Sequence, residues 1–571
     1  MMFSKQGRTV WMLVLLSLLL FTPFAGTAAE RSSAQSAHGM VASAHPLASR
    51  TGIEILKKGG NAVDAAVAMA FVLGVVEPHS SGIGGGGFML IRSGRSGEIT
   101  ALDYREKAPA RASRDMYLDK SGNVVPGLST EGYRAAAVPG TVAGLTLALQ
   151  KYGSKTLPQV LSPAIRYADQ GFPVSAYLRE QIKSQQEKLA KFPDSRRIFL
   201  HNGNPPQVGE ILVQKELANT LKAVAQKGVR IFYEGSIADI IDREMRKNGG
   251  LMREDDLAAY RAVLRPPVRG TYRGYEIVSM PPPSSGGVHL IQILNILEGY
   301  DLHRMGRHSA AAVHLEVEAF RRAYADRAQF LGDPGFVKIP VAGLLSKPYA
   351  TALRGKIDLD RATPSREVKP GNPAAYESPS TTHLSVVDRE GNAVALTQTI
   401  NTTFGSGVVI PSTGILLNNE MDDFSAKPGV SNVYGLVGSE ANSIAPGKIP
   451  LSSMTPTMVF RGGKLFLVLG SPGGSRIITA AVQVILNVID YGMNIRDAVS
   501  APRIHHQWLP DEVQMEKGAL PSRVLRALEA MGHTVRERDS MGNVQAILVD
   551  PATGAPSGVS DPRGVGVALA Q

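Results

Sequence analysis

Thr381 stands where a polar, proline-rich stretch meets a strand-like run, and a threonine at such a junction has one special chemistry open to it. An ordinary threonine hydroxyl is a poor nucleophile. If the chain is cut between Ser380 and Thr381, the new α-amine, with an ordinary pKa of about 8, becomes a base beside its own hydroxyl. The cut needs only attack of that hydroxyl on the preceding carbonyl, an N-to-O acyl shift, and hydrolysis of the resulting ester. A Thr-Thr pair is also simply what β-propensity places at the start of a strand.

Two further segments offer partners. Ser471-Pro472-Gly473-Gly474-Ser475-Arg476 follows a strand-like run and opens a helix. Backbone N–H groups at such a corner can face an oxyanion, and glycines let a substrate come close; the same residues also make a structural tight turn. Asn419-Glu420-Met421-Asp422-Asp423-Phe424 packs three carboxylates into four positions. They can hold an ammonium or a metal, but no histidine or further acid stands at ligand spacing, so no metal site is expected. His383, His505 and His506 read as hydrogen-bonded structural residues. A Ser–His–Asp hydrolase is the mechanistic rival, weakened because no Gly-x-Ser-x-Gly elbow stands near a His and an Asp.

Composition removes other classes. The 571 residues contain no cysteine, which excludes a cysteine nucleophile, thiolate zinc sites and disulfides. The net charge of +11 is dispersed, with acids between the Lys and Arg residues, so no nucleic-acid partner is expected. Gly82–Gly87 lacks the Lys-[Ser/Thr] ending of a phosphate loop and leads into a strand; its glycines read as a close approach of two backbones.

The elements that must position these groups follow from periodicity and punctuation. A helix is expected over Leu47–Leu56, then a buried helix to Val75 capped by Asn61. Residues 140–350 read mainly as helices, with a strand near Gly274–Met280. Residues 361–380 read as an exposed connector. Thr381–Asp388 and Ala393–Ile400 around Arg389–Asn392 read as a hairpin. Short strands follow near Met458–Phe460, Leu465–Leu469 and Val544–Val549, with helices from Arg476 and Pro521. The expectation is a layered α/β protein, sheets face to face and helices outside.

Lys5 and Arg8 precede an apolar run, Val10 to Phe24, followed by small residues to Ala29. This is the pattern of a signal peptide cut near Ala28 or Ala29, giving a periplasmic or secreted protein with no stable membrane span after its removal.

Nine segments in order resemble the γ-glutamyltransferase family of N-terminal-nucleophile hydrolases: NAVDAAVA, EPHSSGIGGGGFML, DYREKAPARA, TTHLSVVD, NTTFGSGV, NNEMDDFS, PLSSMTPT, GSPGGSR and SDPR. The resemblance runs from His38 to about Arg563. It implies a four-layer αββα sandwich shared by a large subunit (30–380, after signal residues 1–29) and a small one (381–571), a heterodimer from one precursor. It implies Thr381 as nucleophile and base, Thr399 as its hydrogen-bond partner, and Gly473 and Gly474 as the oxyanion hole. Arg105, Ser452 and Ser453 would bind the glutamyl α-carboxylate. Glu420 and Asp423, with Asn401, would bind the α-amino group; other members carry Gln at position 420. Pro428–Ser439 matches a mobile lid with Tyr434 as its aromatic wall. The implied reaction moves the γ-glutamyl group of glutathione, or of another γ-glutamyl compound, to water or to an amino acid or dipeptide, without cofactor or metal. The alternatives are a glutaryl-removing cephalosporin acylase of the same fold and an uncleaved, non-catalytic binding relative.

Overall fold

The computed structural model describes residues 33–373 and 383–571. The signal segment and the junction Ser380–Thr381 lie outside the described residues. No helix among the described residues is long and apolar enough to cross a membrane.

Two seven-stranded sheets form the centre. The first runs Val567–Ala570, Met40–Ser43, Leu384–Val387, Ala393–Thr399, Gly86–Arg92, Ile99–Tyr104 and Val263–Arg265, every neighbour antiparallel. The second runs Ser33–Gln35, Pro556–Ser560, Gln545–Val549, Lys464–Gly470, Thr457–Arg461, Tyr275–Ser279 and Val268–Tyr272, also antiparallel. Met40, Phe88, Leu90 and Ala395 of the first meet Val278, Met458, Val468 and Ile547 of the second in one buried layer. The alternate residues of the same strands point outward into two helix-covered cores. Period-two alternation with apolar residues on both faces gives sheets buried on both sides, hence four layers.

The expected hairpin forms with Leu384 opposite Leu396 and Val387 opposite Ala393. Asp388 makes its turn, accepting from the N–H groups of Glu390 at 2.9 Å and Asn392 at 3.0 Å. The buried helix is Ala62–Val76; Asn61 caps it, and Asp64 returns the bond to the Asn61 N–H at 2.8 Å. The glycine run does bring backbones together. A Cβ on Gly85 would lie 1.9 Å from the Thr399 carbonyl oxygen, so only glycine lets the Gly82–Gly87 segment lie against the end of the Thr399 strand.

The connector departs from expectation. Ser365 is fully buried, and Ala362 and Val368 nearly so. The Ser365 N–H donates to Asp511 at 2.7 Å, and the Trp508 indole N–H donates to the carbonyls of Ser365 and Val368. Polar side chains here fasten a strap to the body, a pairing with partners some 140 residues away in sequence that composition does not disclose.

Burial predicts how stability depends on pH. His45, His79, His289, His383, His505, His506 and His533 are held neutral, burial pushing each down to about 3 or 4. The unfolded chain takes up these protons from about pH 6.5 downward, so their contribution is complete above that value and lost as pH falls toward 4. Burial pushes Glu77 up to about 7 and Glu316 up to about 8, so theirs is complete below about 4.5 and lost as pH rises through 7 to 8. The thermal midpoint should therefore peak near neutrality and fall more steeply on the acid side. A midpoint in scanning calorimetry that stays flat from neutrality to about pH 5 contradicts this.

Candidate active site

Thr399, Asn401, Glu420, Asp423, Tyr434, Gly473 and Gly474, singled out from separate stretches of sequence, line one pocket of about 460 Å³. Thr399 ends the central strand of the first sheet, and its Oγ1 accepts from the Asn401 N–H at 2.7 Å. That bond leaves the hydroxyl proton free to be donated. Asn401 turns the chain with φ of +72°, a value asparagine tolerates, and its side chain donates to the Asn419 carbonyl at 3.0 Å.

Gly473 and Gly474 lie between the strand Lys464–Gly470 and the helix Arg476–Ile489, with φ of +136° and +58°. Their carbonyls accept from the N–H groups of Arg476 and Ile477, but their own N–H groups meet no acceptor among the described residues. The turn thus presents two free donors to the pocket. A Cβ on Gly474 would fall 2.5 Å from the Tyr434 ring, and the Tyr434 hydroxyl donates to the Asn401 carbonyl at 3.0 Å. Tyr434 therefore closes one wall of the pocket across the free amides.

Below the pocket lies a buried charge cluster. Arg105 forks between Glu420 and Asp423, the latter at 2.6 Å, with Glu106 at 3.5 Å from the same guanidinium. Burial opposes the charge on Arg105, yet Glu420, Glu106 and Asp423 together hold its pKa above the ordinary value. For the acids, burial dominates over the pull of Arg105. It pushes Glu106 up to about 7, Glu420 well up and Asp423 upward. Three carboxylates share one guanidinium, and both Glu106 oxygens, Glu420 Oε2 and Arg105 Nε have no hydrogen-bond partner. Such unmet capacity in a buried site is what a ligand fulfils.

Ser452 and Ser453 are buried beside this cluster. Asn442 ties the two segments, donating to the Asp423 carbonyl at 2.7 Å and accepting from the Leu451 N–H at 3.0 Å. Ser452 Oγ has no partner. Arg327 reaches Ser453 Oγ at 3.4 Å and Ser285 Oγ at 3.0 Å, and makes no ion pair among the described residues. Burial lowers its pKa to about 10. Reading the sequence did not find Arg327, Asn442 or the Asn418-Asn419 brace, whose side chains bind the carbonyls of Gly84, Ala137 and Thr130.

The histidines stand as structural groups. His383 bonds to Thr397 and Ser385; His505 bonds to Thr479 and Gln507. His314, Glu318 and His533 do come together. The two rings share a 2.8 Å hydrogen bond, His314 also reaches the Asp358 carbonyl at 2.7 Å, and Glu318 is held by Arg321 and Arg322; His533 Nδ1 alone has no partner among the described residues.

An αββα sandwich whose pocket opens at the end of a central strand, beside two free glycine amides, is the frame of the N-terminal-nucleophile hydrolases. Residues 48–571 match the family model described as gamma-glutamyltranspeptidase. A glutathione hydrolase proenzyme from Escherichia coli (strain K12) is 53% identical over 528 residues, 92% of this chain and 90% of that protein. The chain belongs to the γ-glutamyltranspeptidase family. Among solved structures, cephalosporin acylase from Bacillus halodurans superposes with a TM-score of 0.86 at 30% identity, covering 97% of this chain and 98% of its own. A γ-glutamyltranspeptidase chain from Helicobacter pylori is 48% identical with a TM-score of 0.57, covering 58% of this chain and 94% of its own.

Proposed function

We propose that the chain cuts itself between Ser380 and Thr381 and then transfers γ-glutamyl groups, from glutathione or a similar donor, to water or to an amino acid or dipeptide. The large subunit would be 30–380 and the small one 381–571, joined as a heterodimer and exported by the N-terminal signal.

In this reading Thr381 Oγ1 attacks the γ-amide carbonyl while its α-amine takes the hydroxyl proton and passes it to the leaving amine. Thr399 donates its free hydroxyl proton to the nucleophile. The negative oxygen of the tetrahedral intermediate sits on the N–H groups of Gly473 and Gly474. The donor's ammonium enters between Glu420 and Asp423, with the Asn401 carbonyl region beside it. Its carboxylate takes up Ser452 Oγ, Ser453 Oγ and an Arg105 edge, with Arg327 supplying positive potential behind Ser453. Attack of water or an amine on the ester then restores Thr381.

The carrying observation is the crowding of Glu106, Glu420 and Asp423 around the single guanidinium of Arg105, each acid pushed upward by burial. Such a cluster is short of positive charge, and an α-ammonium supplies it. A glutaryl group has none, so the acylase reading leaves the cluster without a ligand. Steady-state turnover of γ-glutamyl and glutaryl anilides separates the two, and preference for the glutaryl compound overturns this assignment. An uncleaved binding relative would show one band on a denaturing gel instead of two.

Gly474→Ala tests the free amides. The new methyl meets the Tyr434 ring and forces the backbone from φ +58°. The expected loss is about a hundredfold in kcat with donor KM changed little, the pattern of a donor acting on the transition state. An equal loss carried entirely by KM contradicts it.

A further inference from the structure

The γ-glutamyl reading accounts for the part of the pocket built by Thr399, Asn401, Glu420, Asp423, Tyr434 and the two glycines, and leaves the rest of the lining unassigned. That remainder includes Glu77, His79, Tyr177, Gln181, Asn543 and Arg476. Arg476 is the one lysine or arginine among the lining residues, while the acids Glu77, Glu420 and Asp423 face the same space. His79 adds no charge, since burial lowers it to about 3.

Arg476 begins the helix that follows the two glycines, so its Cα is fixed beside the free amides. Its guanidinium is also fixed. Nε and Nη2 both donate to Gln514 Oε1, at 3.0 and 2.8 Å, from the strand Val513–Glu516. That partner is a neutral amide. Arg476 forms no ion pair among the described residues, and Nη1 meets no acceptor there. A half-buried, pre-oriented and uncompensated guanidinium on a pocket wall is suited to a carboxylate, with little side-chain entropy left to lose.

The chemistry of the second half-reaction supplies that carboxylate. The acceptor amine attacks the γ-glutamyl ester carbon. The C–N bond forms, the bond to Thr381 Oγ1 breaks, and the amine proton passes through the Thr381 α-amine to that oxygen. An amino-acid or dipeptide acceptor carries a carboxylate a few bonds beyond its amine, and so does the peptide leaving group of glutathione. With the γ-glutamyl carbonyl on Gly473 and Gly474, that carboxylate projects away from the glutamyl-binding acids, and Arg476, next to the two glycines in the chain and the one lysine or arginine of the lining, is placed to attract it. We propose that Arg476, held by Gln514, is the carboxylate-binding group of the acceptor and leaving-group subsite, and that it selects acceptors with a free carboxyl group. The inference rests on the γ-glutamyl-transfer reading.

The test uses the processed enzyme, a γ-glutamyl nitroanilide donor, and two acceptors, glycylglycine and glycylglycinamide, compared at equal concentrations of free amine. The wild type should show a kcat/KM for the acid acceptor about tenfold above that for the amide, the size expected of one charge-assisted contact. Arg476→Gln should bring the two within about twofold, by lowering the acid's value toward the amide's. Arg476→Lys should keep part of the preference. If Arg476→Gln fails to process, Gln514→Leu, which unfastens the guanidinium, should narrow the same ratio. Equal use of both acceptors by the wild type overturns the proposal, as does a preference retained in Arg476→Gln. Absence of nitroaniline release by the wild type without acceptor removes the donor reading and this proposal together. Release without an acid-over-amide preference removes this proposal alone.

Discussion

Thr381→Ala is expected to yield a single uncut chain with no γ-glutamyl turnover above background. The substitution removes the hydroxyl that starts the acyl shift and, with the cut, the α-amine that serves as base. Loss of a nucleophile in comparable acyl-transfer sites costs roughly a millionfold in kcat. The fold should survive, because the ladder of the following strand to Met40–Ser43 and Ala393–Thr399 is carried by Leu384–Val387. Thr381→Ser keeps both groups and should still cut and turn over, more slowly. A denaturing gel and a nitroanilide assay read both outcomes. A cut, active alanine variant would place the nucleophile elsewhere.

Asp423→Ala is the second large effect. It removes the carboxylate that meets Arg105 Nη2 at 2.6 Å and, in this account, one of the two that hold the donor ammonium. Truncating one side of a buried charge pair costs about 2–5 kcal/mol, so kcat/KM for the γ-glutamyl anilide should fall at least about thirtyfold. The glutaryl anilide lacks the ammonium and should lose far less, so the γ-glutamyl-over-glutaryl ratio should collapse. A merely structural role for Asp423 would depress both substrates alike. Glu420→Gln is expected to be mild by comparison. It keeps an acceptor oxygen, and it removes an acid that burial already pushes well upward.

Much of the frame was legible because local signals and global packing agree here. The Asn61 cap, the Asp388 turn and the Leu384–Thr399 hairpin are each announced by residues adjacent in sequence. The seven pocket residues named from sequence do converge, but only the family resemblance joined them, since they span Thr399 to Gly474 and no spacing rule links such distant segments. What escaped was long-range polar pairing. Arg327 lies on the helix Ala310–Phe330 in a stretch rich in charged residues, and every residue from Ala312 to Ala328 is buried, which a helical pattern alone does not disclose. Ser365 looked like connector and proves to be fastened to Asp511. The pairing of Arg105 with both acids was equally hidden. The resemblance assigned them to opposite ends of a ligand, whereas here they pair directly with one another.

The most direct test of the central claim is intact-mass and N-terminal analysis of the purified, active protein quenched during turnover of a γ-glutamyl donor. Two fragments are expected, the smaller beginning Thr-Thr-His, with a fraction of it heavier by one γ-glutamyl group attached at Thr381. An active protein that remains one uncut chain, or a γ-glutamyl group on any other residue, would contradict it.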